Sequence, residues 1–141
     1  MAYIDYNKLT QYIDEKELIN LTDDENIGMV EQSKIDEAIN SATNEINSYL
    51  QDKYTIPLSP PPQLIIDICA DITIYNLYKR RMRLNMPESI INIYNDAIDK
   101  LEKIRKGMIV LNISQTESSG FIKINKTEND RIFNKDLLDS L

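Results

Sequence analysis

The chain has 141 residues, 42% hydrophobic and 28% charged, which fits one domain with a packed core and argues against general disorder. It has no histidine, no tryptophan and three glycines, so Ser–His, Cys–His and Zn–His chemistry and glycine-rich phosphate loops fall away. A net charge of −7 sets it against nucleic-acid binding, which runs on Lys and Arg neutralising phosphates.

The charge is uneven. Residues 1–54 hold 12 acidic and 4 basic side chains, whereas residues 55–113 hold 6 and 8. An acidic half beside a mildly basic one suits head-to-tail self-association. The one cysteine, Cys69, forms no intrachain disulfide, which fits a reducing compartment. The opening MAYIDYNKLT lacks the basic region and apolar core of a signal peptide. The most apolar stretch, 64–78, is interrupted by Asp67 and Asp71 and is too short to span a bilayer. A soluble protein made in the cytosol, with no membrane partner, is expected.

Taken in chain order, Asp5 predicts the cap of a short helix carrying Tyr6, Leu9, Tyr12 and Ile13. Asp14 predicts a second short turn with Leu18, Ile19 and Leu21 inward. Residues 22–28 read as a polar loop. A long helix follows over 33–54. Ser33 and Asp36 predict a capping box, and Ile35, Ala38, Ile39, Ala42, Ile46, Tyr49 and Leu50 form one stripe of a 3.6-residue repeat.

The run IPLSPPP at 56–62 must end that helix, because proline lacks the amide donor and restricts its predecessor. A second long helix over 63–81 is apolar around most of its girth, through Leu64, Ile65, Ile68, Cys69, Ile72, Tyr75 and Leu77, and belongs at the centre of a bundle. A third spans 87–106, with Ile90, Tyr94, Ala97, Ile98, Leu101 and Ile104 as its stripe and Gly107 as its stop. MIVLNI at 108–113 is β-like. SQTESSG at 114–120 is a polar linker, and FIKI at 121–124 alternates like a strand. The fold class is therefore all-α: three principal helices plus short N-terminal ones over 1–113, with an extended, partly β-like C-terminal arm over 114–141.

The order of LTDDENIG, KIDEAINSATNEINSYL and YTIPLSPPPQLIIDICADITIYNLYKRR resembles the Mu-like phage gene-product-36 family. The residues that carry it are Leu21, Thr22, Ala42, Glu45, Ile46, Tyr49 and Leu50, then Tyr54, Pro57, Leu58, Pro60 and Pro62. They continue through Leu64, Cys69, Asp71 and Ile72 to Tyr94, Asp96, Ala97 and Leu101, and close with Arg131, Phe133, Lys135, Asp136 and Leu138. The resemblance spans nearly the whole chain. It implies a structural, non-enzymatic head–tail connector or head-completion protein of a tailed phage, located in the virion at the head–tail interface. A homo-oligomeric ring of about twelve subunits, between the portal and the next connector or tail component, follows from it. DNA is then expected to pass through the ring without specific binding. No cofactor is expected.

Family members often carry an Asp-x-Asp-x-Asp-Gly-like loop after the Leu-Thr-Asp. Here an EF-hand register starting at Asp23 places Ile27 fifth and Lys34 twelfth, and neither side chain supplies the oxygen a calcium site requires. A solvated turn is the expectation, and no metal site is predicted.

Lys79, Arg80, Arg81 and Arg83 form the basic cluster. Complementing the dipole at a helix C-terminus accounts for it first. The functional alternative is contact with DNA phosphates or with an acidic partner, of which the acidic half of a neighbouring subunit, met across an interface, is nearer than DNA. Asp67 and Asp71, four apart on one helix face, are a polar edge or part of the same interface. Cys69 reads as a core residue, because no histidine is present to activate it. In the arm, Phe121, Ile122, Ile124, Ile132, Phe133, Leu137 and Leu138 have no core of their own. With Arg131 and Lys135 they are candidate contacts to the portal or a neighbouring subunit by strand addition. The alternative to a connector is a small helical interaction module or regulator, adaptor-like or antitoxin-like.

Overall fold

The computed structural model describes residues 2–81 and 86–111. Its regular elements are five helices: α1 Tyr6–Leu9, α2 Glu15–Thr22, α3 Gln32–Leu50, α4 Gln63–Arg80 and α5 Glu88–Arg105. The fold is all-α, with three principal helices, as the periodicity predicts. Arg83 and the arm residues Phe121, Ile122, Ile124, Arg131, Ile132, Phe133, Lys135, Leu137 and Leu138 lie outside the described residues.

Asp5 caps α1 by accepting the Lys8 amide at 2.8 Å. Asp14 stands at the N-cap of α2, yet its side chain makes no cap hydrogen bond. Leu9, Leu18 and Leu21 are fully buried, whereas Ile19 stays half-buried.

Two boundaries of α3 differ from expectation. The helix begins at Gln32 with Glu31 as N-cap, and no side chain caps it. The Ser33 hydroxyl donates to the Glu31 carboxylate at 3.2 Å, and Asp36 accepts from Gln32 at 2.9 Å, so the Ser33–Asp36 box does not form. The helix ends at Leu50 rather than Tyr54. The Lys53 and Tyr54 amides both bond the Leu50 carbonyl at 2.9 Å, which closes a turn instead of extending the helix.

The proline run follows, with cis bonds at Ile56–Pro57 and Ser59–Pro60, and Pro62 precedes the first turn of α4. α4 packs against α3, α5 and α2, which explains its apolar circumference. Its core side chains Ile65, Ile68, Cys69, Ile72 and Leu77 are buried at 1% exposure or less. Burial of each large aliphatic side chain contributes about 1.5–3 kcal/mol. α5 buries only Ala97, Leu101 and Ile104; Ile91 and Ile93 in its first half are exposed.

The principal helices run up, down and up. Asn76 near the end of α4 donates to the Ala38 carbonyl near the start of α3, at 3.3 Å. Tyr75 of α4 stacks on Tyr94 of α5 with ring centroids 3.9 Å apart. At the end of α5, Gly107 takes φ +83°, its amide bonds the Ile104 carbonyl at 3.1 Å, and the Met108 amide bonds Lys103 at 2.8 Å. This is a Schellman stop. Residues 108–111 of the expected β-like run form no strand. Leu111 folds back instead, its amide donating to the Tyr54 hydroxyl at 3.0 Å.

Three threonines sit in the core. Thr22 and Thr73 return their hydroxyls to the carbonyls of Leu18 and Cys69, at 2.8 and 2.7 Å. Thr43 accepts the Tyr3 amide at 3.3 Å. Each satisfies its buried hydroxyl against backbone, which removes most of the desolvation cost.

Candidate functional site

Two surfaces stand out. The first is the end of the bundle where α2, the start of α3 and the end of α4 meet. Arg80 donates to the Leu21 carbonyl at 2.8 Å and grips both oxygens of Asp24 at 2.7 and 3.2 Å. Arg81 donates to the Asn20 carbonyl at 2.9 Å and to Asp24 at 3.2 Å. The Arg80 guanidinium holds the Asp24 carboxyl below its usual range.

This clamp fixes the base of the α2–α3 loop. At the loop's tip, the Asp23 carboxylate accepts the amides of Ile27 at 2.9 Å and Gly28 at 2.6 Å. Asn26 and Gly28 take φ values of 61° and 83°, which the tight reversal needs. Thr22 accepts the Glu31 amide at 3.1 Å on the far side. The loop is thus fastened at its base, tip and exit, yet it exposes Ile27 at 66% and Met29 at 64%. The oxygens of Asp23 and Asp24 that a cation would need are engaged by backbone amides and guanidiniums. Among the described residues no cluster of metal-ligating side chains occurs.

The second surface is a cleft of about 210 Å³ between the N-terminal helices, α4 and α5. Ile13, Ile74, Ile90 and Ile93 form its apolar walls, and Tyr12, Glu17, Asp71 and Tyr78 its polar rim. The Tyr78 hydroxyl donates to Glu17 at 2.8 Å, and Tyr12 donates to Asp67 at 2.6 Å. Burial and the Glu17 carboxylate push the Tyr78 phenol up to about 12. Its hydrogen bond to Asp67 pushes Tyr12 up to about 12 as well. Asp71 is raised to about 6 by burial and by the Asp67 charge, with Lys100 partly offsetting them.

The sequence-derived interface residues therefore separate. Asp67 and Asp71 lie together beside the cleft, where Asp67 also accepts from Gln63 at 2.9 Å. Arg80 and Arg81 make the ion pairs just described within their own chain, at the other surface, and Lys79 is exposed. Sequence reasoning missed Ile27 and Met29, two apolar residues flanking Gly28 beside a polar run. It also missed that Asp24 joins both arginines. Cys69 is fully buried against the Thr43 hydroxyl at 3.8 Å, and burial pushes its thiol up. No helix among the described residues is long and apolar enough to cross a membrane.

The family described as "Bacteriophage Mu, Gp36" matches residues 3–121. That span takes in every helix and both surfaces. A Haemophilus influenzae protein described as "Mu-like prophage FluMu protein gp36" is 31% identical over 90 residues. The alignment covers 64% of this chain and 61% of that relative, so the chain spans less than two thirds of the relative's length. With the match running from the N-terminal segment past the last helix, the chain belongs to the bacteriophage Mu Gp36 family.

Proposed function

We propose that this phage protein is a structural, non-enzymatic subunit of the head–tail junction, one of about twelve in a closed ring between the portal and the next connector or tail component. The observation that carries this reading is the family match over residues 3–121. The character of the molecule supports it: a rigid block of three helices that leaves large apolar side chains exposed at both ends, Ile27 and Met29 at one and Met108 and Val110 at the other. A net charge of −7 suits a conduit that must pass DNA without gripping its phosphates. In this reading the arm of residues 114–141 reaches the portal or a neighbouring subunit, with Phe133 as anchor and Arg131 and Lys135 meeting carboxylates.

The test is negative-stain imaging and light scattering of the purified chain, alone and mixed with the portal from the same phage. Rings are expected alone or on the portal, with weak duplex binding at physiological salt. A chain that stays small under both conditions, from a phage that still joins heads to tails when the gene is deleted, removes the reading. Truncation after Ile113 should leave the bundle folded and abolish docking to the portal.

A further inference from the structure

The α2–α3 loop sets a physical puzzle. Two large apolar side chains, Ile27 and Met29, point into solvent at 66% and 64% exposure. A mobile loop would be free to turn them inward. Here the loop is held by the Asp24 clamp on Arg80 and Arg81 and by the Asp23 carboxylate at its tip. The conformational entropy of displaying them is already lost before any partner arrives, which is the signature of a preorganised contact.

The opposite pole carries the counterpart. Past the Schellman stop of α5, Met108 and Val110 are exposed at 69% and 78%. Two lysines stand near the stop. Lys106 precedes the stop, and the Lys53 ammonium lies 3.6 Å from where a Cβ on Gly107 would sit. At the loop Glu25 and Glu31 flank the apolar pair in sequence, beside Lys34 and the ion pairs of Asp24 with Arg80 and Arg81. None of Glu25, Glu31, Lys53 and Lys106 takes part in an ion pair among the described residues. Glu25 and Glu31 thus stand beside the apolar pair at one pole, where Lys34 and the Asp24–Arg80–Arg81 cluster also lie, and Lys53 and Lys106 stand beside it at the other.

The two poles cannot meet within one chain. α3 starts beside the loop and ends beside Lys53, and its 19 residues at 1.5 Å each hold them about 28 Å apart. Only another copy brings them together, and the contact is between unlike patches.

We propose that the 23–29 loop of one copy seats on Met108 and Val110 of the next, with Glu25 and Glu31 facing Lys53 and Lys106, and that this is the repeating contact of the assembly. The occupant is a second copy of this chain. The contact is heterologous, so it propagates from copy to copy until the rotation closes. The inference rests on the ring reading for closure, and it names the faces that the ring uses. Arg80 and Arg81 act through the loop: they position it and do not touch the neighbour.

The test uses the full chain in sedimentation velocity, alone and with its portal. Two variants each blunt one pole: Ile27→Asp with Met29→Asp, and Met108→Asp with Val110→Asp. All four side chains are exposed, and helical circular dichroism should match the parent. Neither variant should assemble alone. An equimolar mixture should form a dimer and stop there, because the intact loop of one variant meets the intact pole of the other. Charge reversal gives an independent arm. Glu25→Lys and Lys106→Glu should each weaken assembly about tenfold, and the chain carrying both should recover. Rings from both apolar variants, or a mixture that stays monomeric, overturn this contact while the ring reading stands. Variants that form rings but no longer bind the portal overturn it too, and place the loop against the portal. A parent chain that forms no oligomer alone or on the portal removes the ring reading itself.

Discussion

The amide of Leu58 donates to the hydroxyl of Tyr3 at 3.1 Å, joining residues 55 apart in the chain. The same hydroxyl donates to the Asn47 side chain, so one phenol ties the N-terminal segment, α3 and the proline run together. Tyr3 is 5% exposed and Leu58 is 3% exposed, so water does not replace either partner. Tyr3→Phe keeps the ring and leaves the Leu58 amide buried without an acceptor. The expected cost is about 1–3 kcal/mol, read as a lower urea midpoint at unchanged slope. A midpoint equal to the parent's means that the amide finds another acceptor.

Gly107→Ala tests the stop of α5. A Cβ there meets the Lys53 side chain at 3.6 Å, an ordinary contact, so crowding contributes little. The φ of +83° is what an alanine resists, at about 1–2 kcal/mol. Loss of stability in that range should come with faster amide exchange at Met108, whose bond to Lys103 completes the stop. A neutral substitution would show that the last turn rearranges freely.

Asp71 gives the bundle a pH dependence of definite sign. Its folded carboxyl titrates at about 6, raised by burial and by Asp67. An unfolded aspartate titrates at about 4. Between those values the folded chain holds more protons than the unfolded one, so stability falls as pH rises. The contribution is full below about pH 4 and is lost as pH passes through 6. Asp71→Asn should stabilise the chain at pH 7 by an amount on the order of 1 kcal/mol, after discounting for a half-exposed group. It should also flatten the denaturation midpoints measured between pH 5 and 7. Parallel pH profiles for parent and variant would assign the dependence elsewhere.

Assembly through Glu25, Glu31, Lys53 and Lys106 should weaken with salt. Raising ionic strength from about 0.1 M to 1 M shortens the screening length from about 10 Å to 3 Å. The ring population in sedimentation should drop accordingly. Salt-independent assembly would give the apolar side chains the whole contact.

The helices were legible because their burial has a period. The α3 stripe through Ile35, Ala38, Ile39, Ala42, Ile46, Tyr49 and Leu50 is readable by spacing alone, and all of it is buried except Tyr49, which is half-buried. The apolar girth of α4 correctly placed it at the centre. The boundaries were less legible. Ser33 falls inside the first turn of α3, where its hydroxyl donates to Glu31 instead of capping, and the Tyr54 hydroxyl accepts the Leu111 amide, a pairing that no local pattern reveals. The candidate surfaces depended on pairs far apart in sequence. Arg80 and Asp24 are separated by 56 positions, and Tyr78 and Glu17 by 61. A basic cluster and an acidic loop were each visible, but only the fold decides that they close on each other. The exposure of Ile27 and Met29 is a consequence of that closure, so spacing carried no trace of it.

Cys69 gives the chain a clock of its own. As the one thiol, at 0% exposure in the middle of α4, it reacts with a soluble thiol reagent only when the central helix is uncovered. The rate of its modification therefore reads out the opening of the whole bundle, without any added label. If assembly stabilises the folded subunit, the same thiol slows as rings form, by the factor that mass action sets. A single sulfur then reports both how often one subunit opens and how much its neighbours restrain it.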